Sequence, residues 1–462
     1  MIELTQRIAV VGAGLCGSML AISLAQRGFN VYLFEKRKDL RKQIEDGGRS
    51  INLALSDRGL KSLRMIGLED EARKLCIPML GRMIHDTEGE KRFSRYSGRE
   101  DEYINSISRT GLNALLLDKA ESYRNVNIFF EAGIDQVDIE NSEITYQYLD
   151  QEINDSFDVI IGTDGAGSSI RKSLFDALGE EYDFSSDFLD YGYKELEIPA
   201  KEGGGFRIEN DALHIWPRGH FMIIALPNLD GSFTVTMFNP YDGNVGFNAL
   251  KTDPEILAYF KKYFPDLVDL LPALQNDFDD HPVGRLGTIR CAPWRISGKV
   301  LIMGDAAHAI VPFYGQGMNA SFEDVYVFDE LLTAHMNKTW EELFEAFQTE
   351  RKPDTDAIAN LALDNFQEMQ DTVDDPDFIK KRVLEMQLER TLPDYYSKYS
   401  LVTFREEMSY ENAMIQGRAQ DEYLLQLVSS SDFSMPETED EMKTIVDEMR
   451  SRLSLEEQMH SN

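Results

Sequence analysis

Three observations predict an α/β fold for this 462-residue chain. The first 35 residues run as strand, glycine-rich turn, helix and second strand. Two more strand–turn motifs return at residues 158–171 and 300–319. Between them lies a stretch whose apolar residues alternate at period two. The reading is a Rossmann-like dinucleotide-binding domain, an inserted antiparallel-sheet domain and a helical C-terminal region.

Ile8–Val11 is a short apolar strand, and Gly12, Gly14 and Gly17 follow it at G-x-G-x-x-G spacing. Gly12 permits the tight turn, Gly14 lets a pyrophosphate approach the backbone, and Gly17 lets helix and strand pack closely. Leu20, Leu24 and Ala25 give the helical period, Gly28 ends the helix, and Val31–Phe34 forms a strand that stops at Glu35. The helix N-terminus offers unpaired N–H groups to phosphates, and Glu35 can accept hydrogen bonds from a ribose. A dinucleotide follows from this pattern; which one does not.

Leu60, Leu63, Ile66 and Leu68 mark a helix, as do Leu112 and Leu115–Leu117 after Arg109. Asn127–Phe130 and Asp158–Ile161 read as strands. The second strand runs into Gly162-Thr163-Asp164-Gly165, at the strand end where ligands sit in open α/β sheets. Taken alone, that turn is also the pattern of an ordinary N-capped helix start. Leu213 and Ile215, then Met222, Ile224 and Leu226, then Thr234, Thr236 and Phe238 alternate at period two, with Asp230-Gly231 as a hairpin turn. Any half-buried sheet shows this alternation. Val300–Met303 is a buried strand delivering Gly304-Asp305-Ala306-Ala307-His308, followed by Pro312-Phe-Tyr-Gly315-Gln-Gly317-Met-Asn319. Asp305 suits a ribityl hydroxyl, and the amides of the Gly315–Asn319 loop suit an isoalloxazine carbonyl. From about residue 340 the pattern is helical and charged, with an acidic turn near Asp371–Asp377. The resulting division is 1–70, 105–180 and 285–345 for the nucleotide-binding domain, 71–104 and 181–284 for the sheet domain, and 346–462 for the helical region.

The hydrophobic fraction of 42% allows a sizeable core, and the formal charge of −34 argues against nucleic acid and anionic membranes as partners. An anionic cofactor must therefore be held by local arginines, lysines and backbone N–H groups. Cys16, Cys76 and Cys291 have neither disulfide nor metal-ligand spacing, so reduced thiols and no metal are expected. The first strand leaves no room for a signal peptide, and no run of about 18 apolar residues occurs. The last thirty residues are acidic and polar. A cytoplasmic location away from membranes is expected.

The order of the motifs at Gly12, Asp164 and Asp305 resembles the flavin-dependent aromatic hydroxylases of the para-hydroxybenzoate hydroxylase type. Ile51–Gly59, Pro78–His85, Tyr193–Leu196, Leu213–Arg218 and Pro312–Asn319 are similar to members of that family acting on L-kynurenine, over about residues 7–405. The resemblance implies tightly but non-covalently bound FAD, NADPH as a transient co-substrate, and O2. Oxygen is transferred from a flavin C4a-hydroperoxide to the ring carbon ortho to the aniline nitrogen, giving 3-hydroxy-L-kynurenine. It implies FAD contacts at Gly12, Gly14, Leu15, Gly17, Glu35, Lys36, Arg37, Ala54, Arg109, Asp164, Asp305, Gly317, Met318 and Asn319. It places Arg82, Tyr96, Asn365 and Tyr399 on the substrate carboxylate, with Met369 one turn from Asn365. Leu213, Ile224, Phe238, Pro312 and Phe313 cover the aromatic ring. No residue is assigned as a catalytic acid, base or nucleophile, because the chemistry is borne by the flavin.

A free carboxylate suits a planar guanidinium better than an ammonium, which independently favours Arg82. His308 is expected to pack near the flavin loop, and His85 and His214 to be structural. Eukaryotic members carry a C-terminal anchor that this sequence lacks, and Tyr314 stands at a position where members vary. Hydroxylation of another aromatic substrate is the alternative. A flavin halogenase is disfavoured, since none of Trp216, Trp294 and Trp340 lies in a Trp-x-Trp-x-Ile-Pro motif. A non-catalytic nucleotide-binding protein is the rival from another class. Oligomeric state is left open.

Overall fold

The computed structural model describes residues 1–42, 52–149, 151–371 and 375–460, without the side chains of 135–136, 369–371 and 454–460. Ile51, the centre of the turn expected at Asp371–Asp377 and the side chain of Met369 lie outside the described residues. The chain forms two compact units. One comprises Met1–Ile77, Asn105–Tyr191 and Gly284–Ala362; the other comprises Pro78–Ile104, Gly192–Val283 and Leu363–Asn462.

In the first unit Arg7–Val11 lies between Asn30–Phe34 and Val159–Gly162, parallel to both. Val126–Phe129 continues the sheet on one side, and Val300–Ile302 then Arg295–Ile296 on the other. Ile8, Ala9 and Val10 have no exposed surface, which explains why this strand reads as a continuous apolar run. Helix Leu15–Gln26 is apolar on every side because it packs on the sheet and against helices Arg109–Glu121 and Gly317–His335. Successive strands depart to opposite sides of Arg7–Val11. Its C-terminal end is therefore a topological switch point, where open α/β sheets bind ligands.

The second unit holds a sheet in the order Phe233–Pro240, Met222–Pro227, Ala212–Pro217, Gly81–His85, Lys91–Arg95. The hairpin expected at Asp230-Gly231 forms, with Gly231 at φ 92° and the Asp230 carboxylate accepting from Ser232 N at 2.9 Å. Ala212–Pro217 runs parallel to Gly81–His85 and antiparallel to Met222–Pro227. One face buries Trp216, Ile223, Ala225, Val235 and Met237 against Asp253–Tyr263 and the segments after it. The C-terminal helices Pro376–Thr391, Tyr410–Val428 and Glu439–His460 have a core of their own, around Leu384, Leu388, Leu424, Val428, Val446 and Met449. Helix Trp340–Asp371 is continuous through residues 345 and 346, where the sequence suggests a domain boundary.

Candidate active site

The first unit contains a nucleotide cradle. Gly12 stands at φ 103°, and a Cβ there would lie 2.6 Å from Thr163 O. A Cβ on Gly17 would lie 2.0 Å from Gly12 O, so helix and turn touch at that point. Gly14 has nothing within 4 Å of its Cβ position, so backbone at the helix N-terminus is open to a ligand. Tight contact at two glycines and space at the third are what a dinucleotide-binding turn requires. Leu15 is the first helical residue and is buried. Glu35 accepts from Ala13 N at 3.1 Å and Arg37 N at 2.9 Å, fixing the turn while the exposed Lys36 and Arg37 supply positive charge beside it. Asn113, from helix Arg109–Glu121, donates to Ala13 O at 3.2 Å and keeps a buried Oδ1 with no partner among the described residues. Buried acceptors of that kind are normally satisfied, so this one fits a ligand-facing position. Arg109 is exposed at the head of that helix.

The second and third motifs are tied together inside the same unit. Asp164 accepts from Ser168 Oγ at 2.5 Å and from Ser169 N at 2.7 Å, capping helix Ser169–Leu178. This is the helix-capping alternative open in the sequence, and it directs the carboxylate into its own turn. Arg171, with no assigned role in the sequence, donates to Ala166 O at 2.5 Å and Ala306 O at 2.7 Å. It thus joins the two turns. Asn319 has no exposed surface, and its amide donates to Ala54 O at 2.9 Å and Gly315 O at 3.1 Å and accepts from Ser56 N at 3.1 Å. Its side chain organises the loop that opens helix Gly317–His335.

Asp305 heads the short helix Asp305–His308 and is reached by solvent. Burial of the rest of its surroundings raises its carboxyl above the usual range, against the pull of His308 and Arg109. Beneath it lies a buried charge network that sequence reasoning missed. Asp324 accepts from Gly304 N at 2.8 Å, His308 Nε2 at 2.5 Å and Arg351 Nε at 2.9 Å. Glu323 bridges Arg58 at 2.9 Å and Arg351 at 3.0 Å. Burial alone would raise the Asp324 carboxyl; His308 and Arg351 instead hold it below the usual range. Gly304 sits at φ 61°, so its N–H bond to Asp324 secures a turn that few other residues adopt. Pro312 is exposed, Phe313 half-buried and Tyr314 buried in the following segment of this unit.

The second unit contains an arginine beside a pair of tyrosines. Strand register decides which side chains share a face: Arg82 pairs with Leu213, Ile215 with Ile224, and Met222 with Phe238. Leu213, Ile224 and Phe238 therefore lie on the Arg82 face, opposite the Trp216 core. Leu213 and Ile224 are half-buried and Phe238 is 4% exposed. The Arg82 guanidinium lies 5.2 Å from the Tyr96 ring centroid and 4.7 Å from that of Tyr399. Among the described residues no carboxylate pairs with it. Tyr96 is 1% exposed and its hydroxyl has no hydrogen-bond partner among the described residues. Burial raises the Tyr96 and Tyr399 hydroxyls, with Arg82 opposing, so both remain protonated donors. An unpaired guanidinium and a buried, unpartnered tyrosine hydroxyl stand together here, the groups a carboxylate can satisfy. Asn365 is half-buried on helix Trp340–Asp371, one turn before Glu368, which pairs at 2.5 Å with Lys398 next to Tyr399.

The fold and the cradle are those of an FAD-binding protein, and the family described as FAD binding domain matches residues 5–362. Kynurenine 3-monooxygenase of Myxococcus xanthus is 44% identical over 453 residues, 97% of this chain and 95% of that protein. The Dictyostelium discoideum protein of the same name is 42% identical over 446 residues, 93% and 95% of the two chains. The chain belongs to the kynurenine 3-monooxygenase family. Among solved structures, 2-methyl-3-hydroxypyridine-5-carboxylic acid oxygenase shares the fold with a TM-score of 0.65 at 22% identity, covering 86% of this chain and 99% of that one. Pseudomonas aeruginosa PqsL does so with a TM-score of 0.64 at 17% identity, covering 79% and 97%. No described helix is long and apolar enough to cross a membrane.

Proposed function

We propose that this protein hydroxylates L-kynurenine to 3-hydroxy-L-kynurenine, using NADPH and O2 with tightly, non-covalently held FAD. The observation that carries the reading is Arg82, half-buried beside two tyrosine rings with no carboxylate partner among the described residues of a chain bearing 81 acidic ones. In so acidic a protein, such an arginine is suited to an anionic ligand.

The nucleotide end is held by backbone at Gly12, Gly14 and Gly17, with Glu35 toward the ribose and Lys36, Arg37 and Arg109 supplying charge. With FAD bound, Asp305 would accept from a ribityl hydroxyl and backbone N–H groups at Gly317–Asn319 would hold the ring carbonyl. Bound FAD supplies the redox chemistry, taking electrons from NADPH and passing one oxygen atom of O2 to the substrate. Arg82, Tyr96, Tyr399 and Asn365 orient the substrate by its carboxylate. Leu213, Ile224 and Phe238 exclude water from the ring, with Met369 one turn from Asn365. The aniline nitrogen provides the electron density for attack, so no side chain need act as nucleophile or base. We place the protein in the cytoplasm.

The test is NADPH oxidation by purified, FAD-loaded protein with and without L-kynurenine, with the product identified by mass. Kynurenine-dependent oxidation with a gain of one oxygen atom is expected. Turnover of another aromatic compound without turnover of kynurenine would overturn the substrate assignment.

A further inference from the structure

Tyr96 and Tyr399 come from segments three hundred residues apart, and a single buried carboxylate spans the chain beside both. Glu389 is 2% exposed on helix Pro376–Thr391. One of its oxygens accepts from Gly98 N at 3.1 Å, two residues after Tyr96. The other accepts from Ser397 N at 2.8 Å, two residues before Tyr399. Gly98 is pressed onto the same helix: a Cβ there would lie 2.6 Å from Arg390 N and 2.8 Å from Met386 O.

The neighbouring Arg99 repeats the join. Its Nη2 donates to the carbonyls of Leu392 at 3.4 Å, Pro393 at 3.2 Å and Tyr395 at 2.6 Å. Its guanidinium lies 3.9 Å from the Tyr396 ring centroid, and Arg405 lies 4.0 Å from the same ring. Ser397 in turn caps helix Lys398–Thr403, which carries Tyr399.

We infer that Glu389, supported by Arg99, is a positioning residue for substrate recognition: it sets the spacing of the Tyr96 and Tyr399 hydroxyls around Arg82 and thereby the affinity for an amino-acid carboxylate. This rests on the reading of Arg82 as the carboxylate anchor. Only a carboxylate can accept from both peptide N–H groups. A glutamine in its place offers one oxygen and turns an NH2 group against the second N–H. Release of either segment lets one tyrosine drift, and a displacement of about 1 Å is enough to weaken a bidentate site.

The test is calorimetric titration of FAD-loaded wild-type and Glu389→Gln protein with two ligands, L-kynurenine and 2-aminoacetophenone, the aryl ketone without the amino-acid end. Glu389→Gln is expected to lose ten-fold or more in kynurenine affinity while aryl-ketone affinity changes less than two-fold. Unchanged kynurenine affinity, or equal loss for both ligands, overturns the inference. Failure of the wild-type protein to bind kynurenine overturns the proposed function instead. If Glu389→Gln does not fold, Arg99→Lys is put through the same comparison, with the same ligand-selective loss expected and the same results counting against it.

Discussion

The Tyr96 and Tyr399 rings stack with centroids 5.6 Å apart and planes 10° from parallel. Tyr96 follows the sheet strand Lys91–Arg95, whereas Tyr399 sits in the helical region, yet both rings face the Arg82 guanidinium. Contact with two packed rings restricts the rotamers open to the arginine, and fewer rotamers to lose lowers the ordering cost of binding.

Arg82→Ala is expected to weaken kynurenine binding by about 2–5 kcal/mol, because the carboxylate is left desolvated and unpaired. Arg82→Lys should recover little, since a point charge does not reproduce the planar fork. Tyr96→Phe should cost about 1 kcal/mol, one hydrogen bond with the ring retained. Equilibrium binding alongside flavin absorbance checks all three, with FAD content unchanged.

The glycines of the first turn should separate folding from cofactor binding. Gly17→Ala forces a Cβ to 2.0 Å from Gly12 O and should destabilise even the FAD-free protein, by about 1–3 kcal/mol or more. Gly14→Ala meets nothing within 4 Å, so the FAD-free protein should keep its stability and lose FAD retention. Urea unfolding of the FAD-free variants and flavin absorbance after gel filtration distinguish the two.

Asp324→Asn should be costly away from any ligand contact. It leaves Arg351 and His308 facing a neutral amide in a buried site. Breaking such a buried pair costs about 3–5 kcal/mol. A lower thermal midpoint and faster FAD loss on dilution are expected, since Asp324 also holds Gly304 beside Asp305.

A histidine pair on the core face of the second unit's sheet predicts acid sensitivity. His214 donates from Nε2 to Glu209 O at 2.7 Å and accepts at Nδ1 from His85 at 2.9 Å, while His85 Nδ1 lies 2.7 Å from Asp266. Burial first, then His85 and Lys91, push His214 down to about 4 from 6.5, against the Glu209 hydrogen bond. Asp266 is held below the usual range by His85 and Trp216 despite its burial. Between pH 6.5 and about 4 the unfolded chain therefore binds the His214 proton and the folded one does not. Stability is full above that window and falls as pH drops through it, by about 3 kcal/mol in total. The urea midpoint followed from pH 7 to 4 should fall in the wild type and much less in His214→Gln.

Kynurenine should act as effector as well as substrate, accelerating reduction of the bound flavin by NADPH. The family resemblance motivates this, together with the absence of a second dinucleotide motif in the sequence. Stopped-flow reduction at fixed NADPH should be faster with kynurenine; equal rates would refute it.

What was legible in the sequence was local. The turn at Gly12–Gly17, the hairpin at Asp230-Gly231 and the alternation within a strand such as Met222, Ile224 and Leu226 depend on residues a few positions apart, where backbone geometry imposes a fixed period. Arg82, Tyr96 and Tyr399 follow from the family resemblance, not from any spacing in the sequence that brings them together. Other features were decided only by tertiary structure. Asn319 turns out to brace Ala54, and helix Trp340–Asp371 to run through an expected boundary. The bridge from Glu389 to Gly98 and Ser397, and the network joining Arg58, Glu323, Arg351, Asp324 and His308, left no periodic trace. Buried charges carry no repeating signal of their own: each is tolerated only where distant segments bring its partner within hydrogen-bond reach, and that reach exists only once the chain has folded.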